Sequence, residues 1–264
     1  MRATGFMAPN NMPSNVPSNI IEAETPLLPA PGDEARTHTS VAPEQISADV
    51  SNLLDVLGNG GVAIAPLDVA YAILAATPQG IRRIFDAKQR SYEKPSGMFG
   101  NYMMSAAVHI MAEEKHAMVA EMVEQVSLPF SVVAPFREDH AFLADVDPFV
   151  LASSSKAGTL DMLLNAGPMH NEIASQAWAR NMPVFGSSAN LSLTGSKYRL
   201  GEVDGAVREA ADISFDYGLS QYANHQGRSS TIIDFRDFSV IRVGVQFDRL
   251  RQAFKDRFNV NLQI

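Results

Sequence analysis

The chain has 264 residues, 46% hydrophobic and 19% charged, a size and mix that suit one large or two small globular domains and exclude a wholly disordered protein. It contains no cysteine, which excludes a disulfide framework, a thiolate metal site, an iron–sulfur cluster and a cysteine nucleophile. With 21 basic and 29 acidic residues the formal charge is −8, so a broad electrostatic grip on nucleic acid is not expected, whereas a small basic pocket is compatible with it.

Pro9, Pro13, Pro17, Pro26, Pro29, Pro31 and Pro43 crowd the first part of the chain, interleaved with Asn and Ser. Proline removes donors and fixes φ, so residues 1–41 are expected to form a disordered tail, with one domain over 42–264. The tail has no charged-then-apolar secretory pattern, and Glu22, Glu24, Asp33 and Glu34 argue against a basic transit helix. No stretch reaches the ~18 apolar residues of a spanning helix. The protein is therefore expected in the cytoplasm, with no membrane partner.

Pro43 opens a helix whose apolar positions Ile46, Val50, Leu53, Leu54 and Leu57 follow helical spacing, with Gly58 as its stop. The apolar run Val62–Ala76, broken by Pro66 and Asp68, reads as a strand, a turn and a helix start. Thr77-Pro78 then supplies an N-cap and a proline at the first helical position. A longer helix is expected over Ser105–Val126, with His109, Glu113 and His116 on one face; these residue types are common on solvated faces, and no metal site is assigned. Strands follow at Phe130–Ala134 and Pro183–Gly186, helices at Asn171–Asn181 and Glu202–Ala211. Thr231–Phe235 and Ser239–Val243 read as a strand pair around a turn.

The common catalytic signatures are missing: there is no phosphate-loop motif, dinucleotide fingerprint, nucleophile elbow or zinc-protease helix. Three clusters of cations and small polar residues sit instead at element ends. Lys88, Arg90 and Lys94 leave a helix C-terminus, where cations complement the dipole or, together, offset a triphosphate. Ser187-Ser188-Ala189-Asn190-Leu191-Ser192 follows a strand, the habitual place of α/β ligand sites and also an ordinary turn composition. Gly227-Arg228-Ser229-Ser230-Thr231 followed by Ile241-Arg242-Val243-Gly244 forms the third, which hairpin chemistry would explain equally.

Taken in this order, Gly60-Gly61-Val62-Ala63-Ile64-Ala65-Pro66, Lys88-x-Arg90-x-x-x-Lys94, Ser188-Ala189-Asn190-Leu191-Ser192 and Ser230-Thr231-Ile232-Ile233-Asp234 resemble the YrdC-like threonylcarbamoyl-AMP synthase domain, over about residues 47–247. The resemblance implies an α/β fold: a twisted open mixed sheet flanked by helices, with a large concave cavity of positive charge. It implies a nucleotidyltransferase that makes threonylcarbamoyl-adenylate and pyrophosphate from ATP, bicarbonate and L-threonine for tRNA modification, with Mg²⁺ carried by the nucleotide. By the same mapping Lys88, Arg90 and Lys94 are catalytic, and Ser188, Asn190, Ser230, Thr231 and Arg242 bind nucleotide.

The amino-acid half departs from that pattern. Where the family reads P-T-D-T-V-Y-G-L, this chain has Pro66-Leu67-Asp68-Val69-Ala70-Tyr71-Ala72-Ile73, and the arginine of V-R-x-P-x-H-P falls at Leu163. Leu67, Val69, Tyr71 and Leu163 thus mark a rebuilt pocket, which would hold a zwitterionic amino acid poorly. Three readings stay open: a synthase with a divergent pocket, a paralogue that uses another amine, or a non-catalytic relative that binds nucleotide or takes RNA within the cavity.

Overall fold

The computed structural model describes residues 41–91 and 94–264. The expected tail, apart from Val41, lies outside the described residues. Helix α1 (Pro43–Gly58) begins at the proline, and its buried residues are Ile46, Val50, Leu53, Leu54 and Leu57, the expected stripe. Strand β1 (Ala63–Ala65) pairs antiparallel with β2 (Ala72–Ala75). The end of the Val62–Ala76 run is therefore a second strand, and helix α2 (Pro78–Ala87) starts only after it. Thr77 caps α2, its hydroxyl accepting from the Gly80 amide at 3.3 Å.

The single helix expected over Ser105–Val126 is broken. Strand β3 (Gly97–Phe99) leads into α3 (Tyr102–Val108), the chain then extends, and α4 (Glu113–Glu121) runs on into a π-helical turn at Met122–Val126. The break has a cause in the sheet. His109 bridges Phe136, and the Ile110 amide donates to the Pro135 carbonyl at 2.7 Å, so pairing with a strand end overrides helix propensity. His109 is fully buried, its ring nitrogens 3.0 Å from Ser105 Oγ and 3.2 Å from the Leu160 carbonyl. It shares no exposed face with Glu113 and His116. Among the described residues no His, Asp and Glu group is placed to hold a metal ion, and no helix is long and apolar enough to cross a membrane.

The remaining strands are β4 (Phe130–Pro135), β5 (Ser155–Lys156), β6 (Thr159–Leu164), β7 (Phe185–Ser188), β8 (Ile213–Ser214), β9 (Thr231–Asp234) and β10 (Ser239–Arg242). They assemble with the first three into one mixed sheet in the order β10-β9-β4-β6-β3-β7-β2-β1-β8, with β5 hairpinned onto β6. The helices between and after them are α5 (Pro148–Ala152), α6 (Pro168–Ala179), α7 (Gly205–Glu209) and α8 (Phe247–Phe258). Helix α6 packs on α1, where Arg180 pairs with Asp55 at 2.6 Å. The helix expected over Glu202–Ala211 is shorter, reduced to a 3₁₀ turn at Leu200–Glu202 and α7.

Side chains alternate across a strand, and the registers here sort them sharply. Ser131 lies opposite both Leu163 and Ile232, and Gly97 lies opposite Gly186, so one face of the central strands mixes glycine and polar residues with a few aliphatic ones. Phe130, Val132, Leu160, Met162 and Phe185 occupy the other face and are fully buried. Phe130 meets Phe254 of α8 edge-on, centroids 6.4 Å apart, which places α8 on that apolar face. Burial of each such side chain contributes about 1.5–3 kcal/mol. The glycine-bearing face is left hollow.

Candidate functional site

The hollow is a concave cavity of about 680 Å³, counting its open mouth. Its floor is the polar sheet face: Gly97, Ser131, Asp161, Gly186, Ser188 and Ile232. Facing glycines at 97 and 186 give it depth. A Cβ on Gly186 would stand 2.5 Å from the Ile73 carbonyl, so that position admits no larger residue without a shift of β2. Ser229, Ser230 and Arg242 form one wall, Arg90 and Pro95 another, and Leu67, Val69, Ala70, Tyr71 and Leu163 the apolar remainder.

Arg242 is anchored by Ser230. Its Nε and Nη2 donate to the Ser230 carbonyl at 3.0 and 2.8 Å, and Nη2 donates to the Ser230 hydroxyl at 3.0 Å. This grip depends on Gly244, because a Cβ there would lie 2.2–2.3 Å from the backbone of Ser229, Ser230 and Thr231. Arg90 enters from the loop after α2. Gln89, with φ of 49°, turns the chain, and Arg90 then donates to the Lys94 and Pro95 carbonyls at 2.9 and 2.7 Å. Burial lowers the pKa of both guanidiniums, and Arg242 lowers that of Arg90 further by like charge. Guanidinium stays protonated at neutral pH even so, and the cavity therefore carries two held positive charges.

Lys88 has a different place. It is only 1% exposed, and its ammonium donates to the Ser188 carbonyl and, at 2.6 Å, to the Asn190 carbonyl. It ties the end of α2 beneath the turn that follows β7, without lining the cavity. Burial, aided by the charge of Arg90, lowers its pKa to about 7. Asn190 is likewise buried; its side-chain oxygen accepts from the Ser188 hydroxyl at 2.5 Å, and its amide donates to the Leu191 carbonyl at 2.5 Å.

Of the residues expected in the site, Arg90, Ser188, Ser230, Arg242, Leu67, Val69, Tyr71 and Leu163 converge on one cavity. Lys88 and Asn190 support it from below, and Lys94 contributes a backbone carbonyl to Arg90. Thr231 is corrected. Its register opposite Phe130 puts its side chain on the apolar face, where it accepts from the Gly244 amide and donates to the Val245 carbonyl. The hydroxyl of Tyr71 is committed to Asp216 and the Gly218 carbonyl, 2.9 and 2.8 Å away. Ser187 and Ser229, from the second and third sequence clusters, also line the cavity, whereas sequence reasoning missed Ser131 and Asp161. The alternation Leu160-Asp161-Met162-Leu163-Leu164, a carboxylate among apolar neighbours, was the one available signal for Asp161.

Comparison with known proteins adds to this geometry. The model of the Sua5/YciO/YrdC family, described as telomere recombination, matches residues 55–244. No curated protein sequence matches the chain. Among solved structures, a hypothetical protein from Streptococcus mutans is 18% identical, with a TM-score of 0.66 over 78% of this chain and 90% of that one. Sua5 of P. abyssi, solved with L-threonine, is 18% identical with a TM-score of 0.59, covering 77% of this chain and 55% of that chain. YciO of E. coli is 16% identical with a TM-score of 0.55, covering 77% of this chain and 90% of that chain. The mixed sheet and its flanking helices are thus the family's fold, and the chain belongs to the Sua5/YciO/YrdC family.

Proposed function

We propose that the cavity binds ATP and that the protein is a nucleotidyltransferase forming a carbamoyl-type adenylate, on the pattern of threonylcarbamoyl-AMP synthesis for tRNA modification. The observation that carries this reading is the pair of guanidiniums, Arg90 and Arg242, held by hydrogen bonds at the rim of a cavity that also presents serine side chains. A triphosphate needs that arrangement: planar donor forks for its charge and small donors that let its oxygens approach closely. In the reaction an amine and bicarbonate lose water to give a carbamate. A carbamate oxygen attacks the α-phosphorus of ATP, the bond to the bridging oxygen breaks, and pyrophosphate leaves with the electron pair. Charge builds on the departing pyrophosphate, and Arg90 and Arg242 would stabilise it electrostatically with no protein nucleophile. Mg²⁺ would enter on the triphosphate as part of the substrate.

The family membership and the L-threonine-bound Sua5 neighbour support an amine-bearing second substrate. Leu67, Val69 and Leu163 line the cavity with alkyl groups, which favours an amine with an apolar chain. The test is pyrophosphate release, with mass spectrometry of the products, in mixtures of ATP, bicarbonate and a panel of amino acids and simple amines. Bicarbonate-dependent pyrophosphate with an adenylate adduct is expected. ATP bound without turnover on any amine would leave a nucleotide-binding protein and refute the enzyme reading.

A further inference from the structure

The cavity holds one acidic group that nucleotide binding does not use. Asp161 stands on β6 two residues before Leu163 and on the same strand face, and both line the hollow. The Ser131 hydroxyl donates to its carboxylate, yet Oδ1 is shielded from solvent and has no hydrogen-bond partner. Burial raises the carboxyl's pKa, while Arg242 and Ser131 hold it down. A shielded acceptor left unmet costs about 1–3 kcal/mol, and a ligand that donates there recovers it.

The surroundings narrow the donor. Leu67, Val69 and Leu163 offer an entering group neither cation nor hydroxyl, so a ligand carboxylate would have nothing to meet there. It would also be repelled by Asp161. A triphosphate on Arg90 and Arg242 carries more charge than those two guanidiniums neutralise, which disfavours a further anionic group on the second ligand beside Asp161. A resident divalent metal does not fit: it takes several oxygen ligands, and among the described residues no group of three His, Asp or Glu is gathered.

We propose that Asp161 determines the specificity of this cavity, whose second ligand is an alkyl amine without a carboxylate, its nitrogen donating to Oδ1 and its chain lying on Leu67, Val69 and Leu163. The proposal rests on the nucleotide reading for the reaction the amine enters, although the amine site itself needs only the cavity.

The full chain, loaded with α,β-methylene-ATP, is titrated with isobutylamine and with L-threonine, by calorimetry and by amide shifts of Ser131 and Leu163. Isobutylamine should bind more tightly than L-threonine. Asp161→Asn should weaken isobutylamine about tenfold or more and tighten the nucleotide analogue, because a negative charge leaves the cavity. If that variant fails to fold, Leu163→Arg decides instead: it should reverse the preference toward L-threonine. Preference for L-threonine in the unaltered protein overturns the proposal, as does isobutylamine binding to Asp161→Asn within about twofold of the parent. Failure of the nucleotide analogue to bind refutes the nucleotide reading alone. The same amine titrations without it then decide the role of Asp161.

Discussion

Arg90→Gln separates a binding role from a structural one. The amide has similar reach but no charge, so the cavity loses one of its two guanidiniums. In the folded protein Arg90 donates to the Lys94 and Pro95 carbonyls at 2.9 and 2.7 Å and lies 5.8 Å over the Phe85 ring. Burial and Arg242 both lower its pKa, so in the absence of ligand its charge is held at a cost. Loss of the two loop bonds and relief of that cost oppose each other, and the expected change in stability is within about 1 kcal/mol. A charge-assisted contact to phosphate contributes about 1.5–3 kcal/mol. The ATP dissociation constant should therefore rise about 10- to 150-fold. Calorimetric titration and thermal unfolding of parent and variant in one buffer read both quantities. An ATP affinity within about threefold of the parent, in a variant that folds, would remove Arg90 from the phosphate site.

Gly244→Ala places a Cβ 2.2–2.3 Å from the backbone of Ser229, Ser230 and Thr231, so β9 must shift. A loss of ~3 kcal/mol or more is expected by denaturant titration, together with weaker ATP binding as Ser230 moves from Arg242. Lys88→Met leaves the Asn190 carbonyl without the ammonium and the Ser188 carbonyl with only the Asn190 amide as donor, and a loss of ~2–4 kcal/mol is expected. That loss should be greater at pH 9 than at pH 6. The folded value of Lys88, about 7, lies below its ordinary 10.5, so the native state sheds the proton first and the parent gains stability as pH rises through that window. His109 and His170 set the acid limit. Burial lowers each from 6.5 to about 4, so stability should fall as pH drops across that range, by up to about 3 kcal/mol per histidine. Unfolding of His109→Gln followed against pH should show a shallower acid slope than the parent; an equal slope would contradict its burial as the neutral ring.

Elements with strong local signals were legible. Pro43 and Thr77-Pro78 mark α1 and α2 because caps and proline geometry act within one turn. The β9–β10 pair was legible from its two short runs of β-branched residues around a turn at Arg236–Phe238. The break at His109 was not, since it depends on a pairing with Pro135 and Phe136, remote in sequence. Short strands such as β3 and β8 carry too few residues for a period to emerge. The site was legible as a set of residue types and only partly as geometry. Arg90, Ser188, Ser230 and Arg242 meet, while Lys88 turns under the sheet to hold carbonyls and Thr231 faces the core. Asp161 escaped notice because a lone carboxylate in an apolar run has no motif, and its meaning comes from the cavity around it.

The central claim, that the hollow polar face of the sheet receives a triphosphate, is tested most directly by titrating ATP into isotopically labelled protein and following backbone amides. The account predicts saturable shifts at Gly186, Ser187, Ser188, Ser229 and Ser230, with Gln246–Asn259 on the opposite face unmoved. Saturable shifts confined to residues outside the cavity, or none at millimolar ATP, would contradict it.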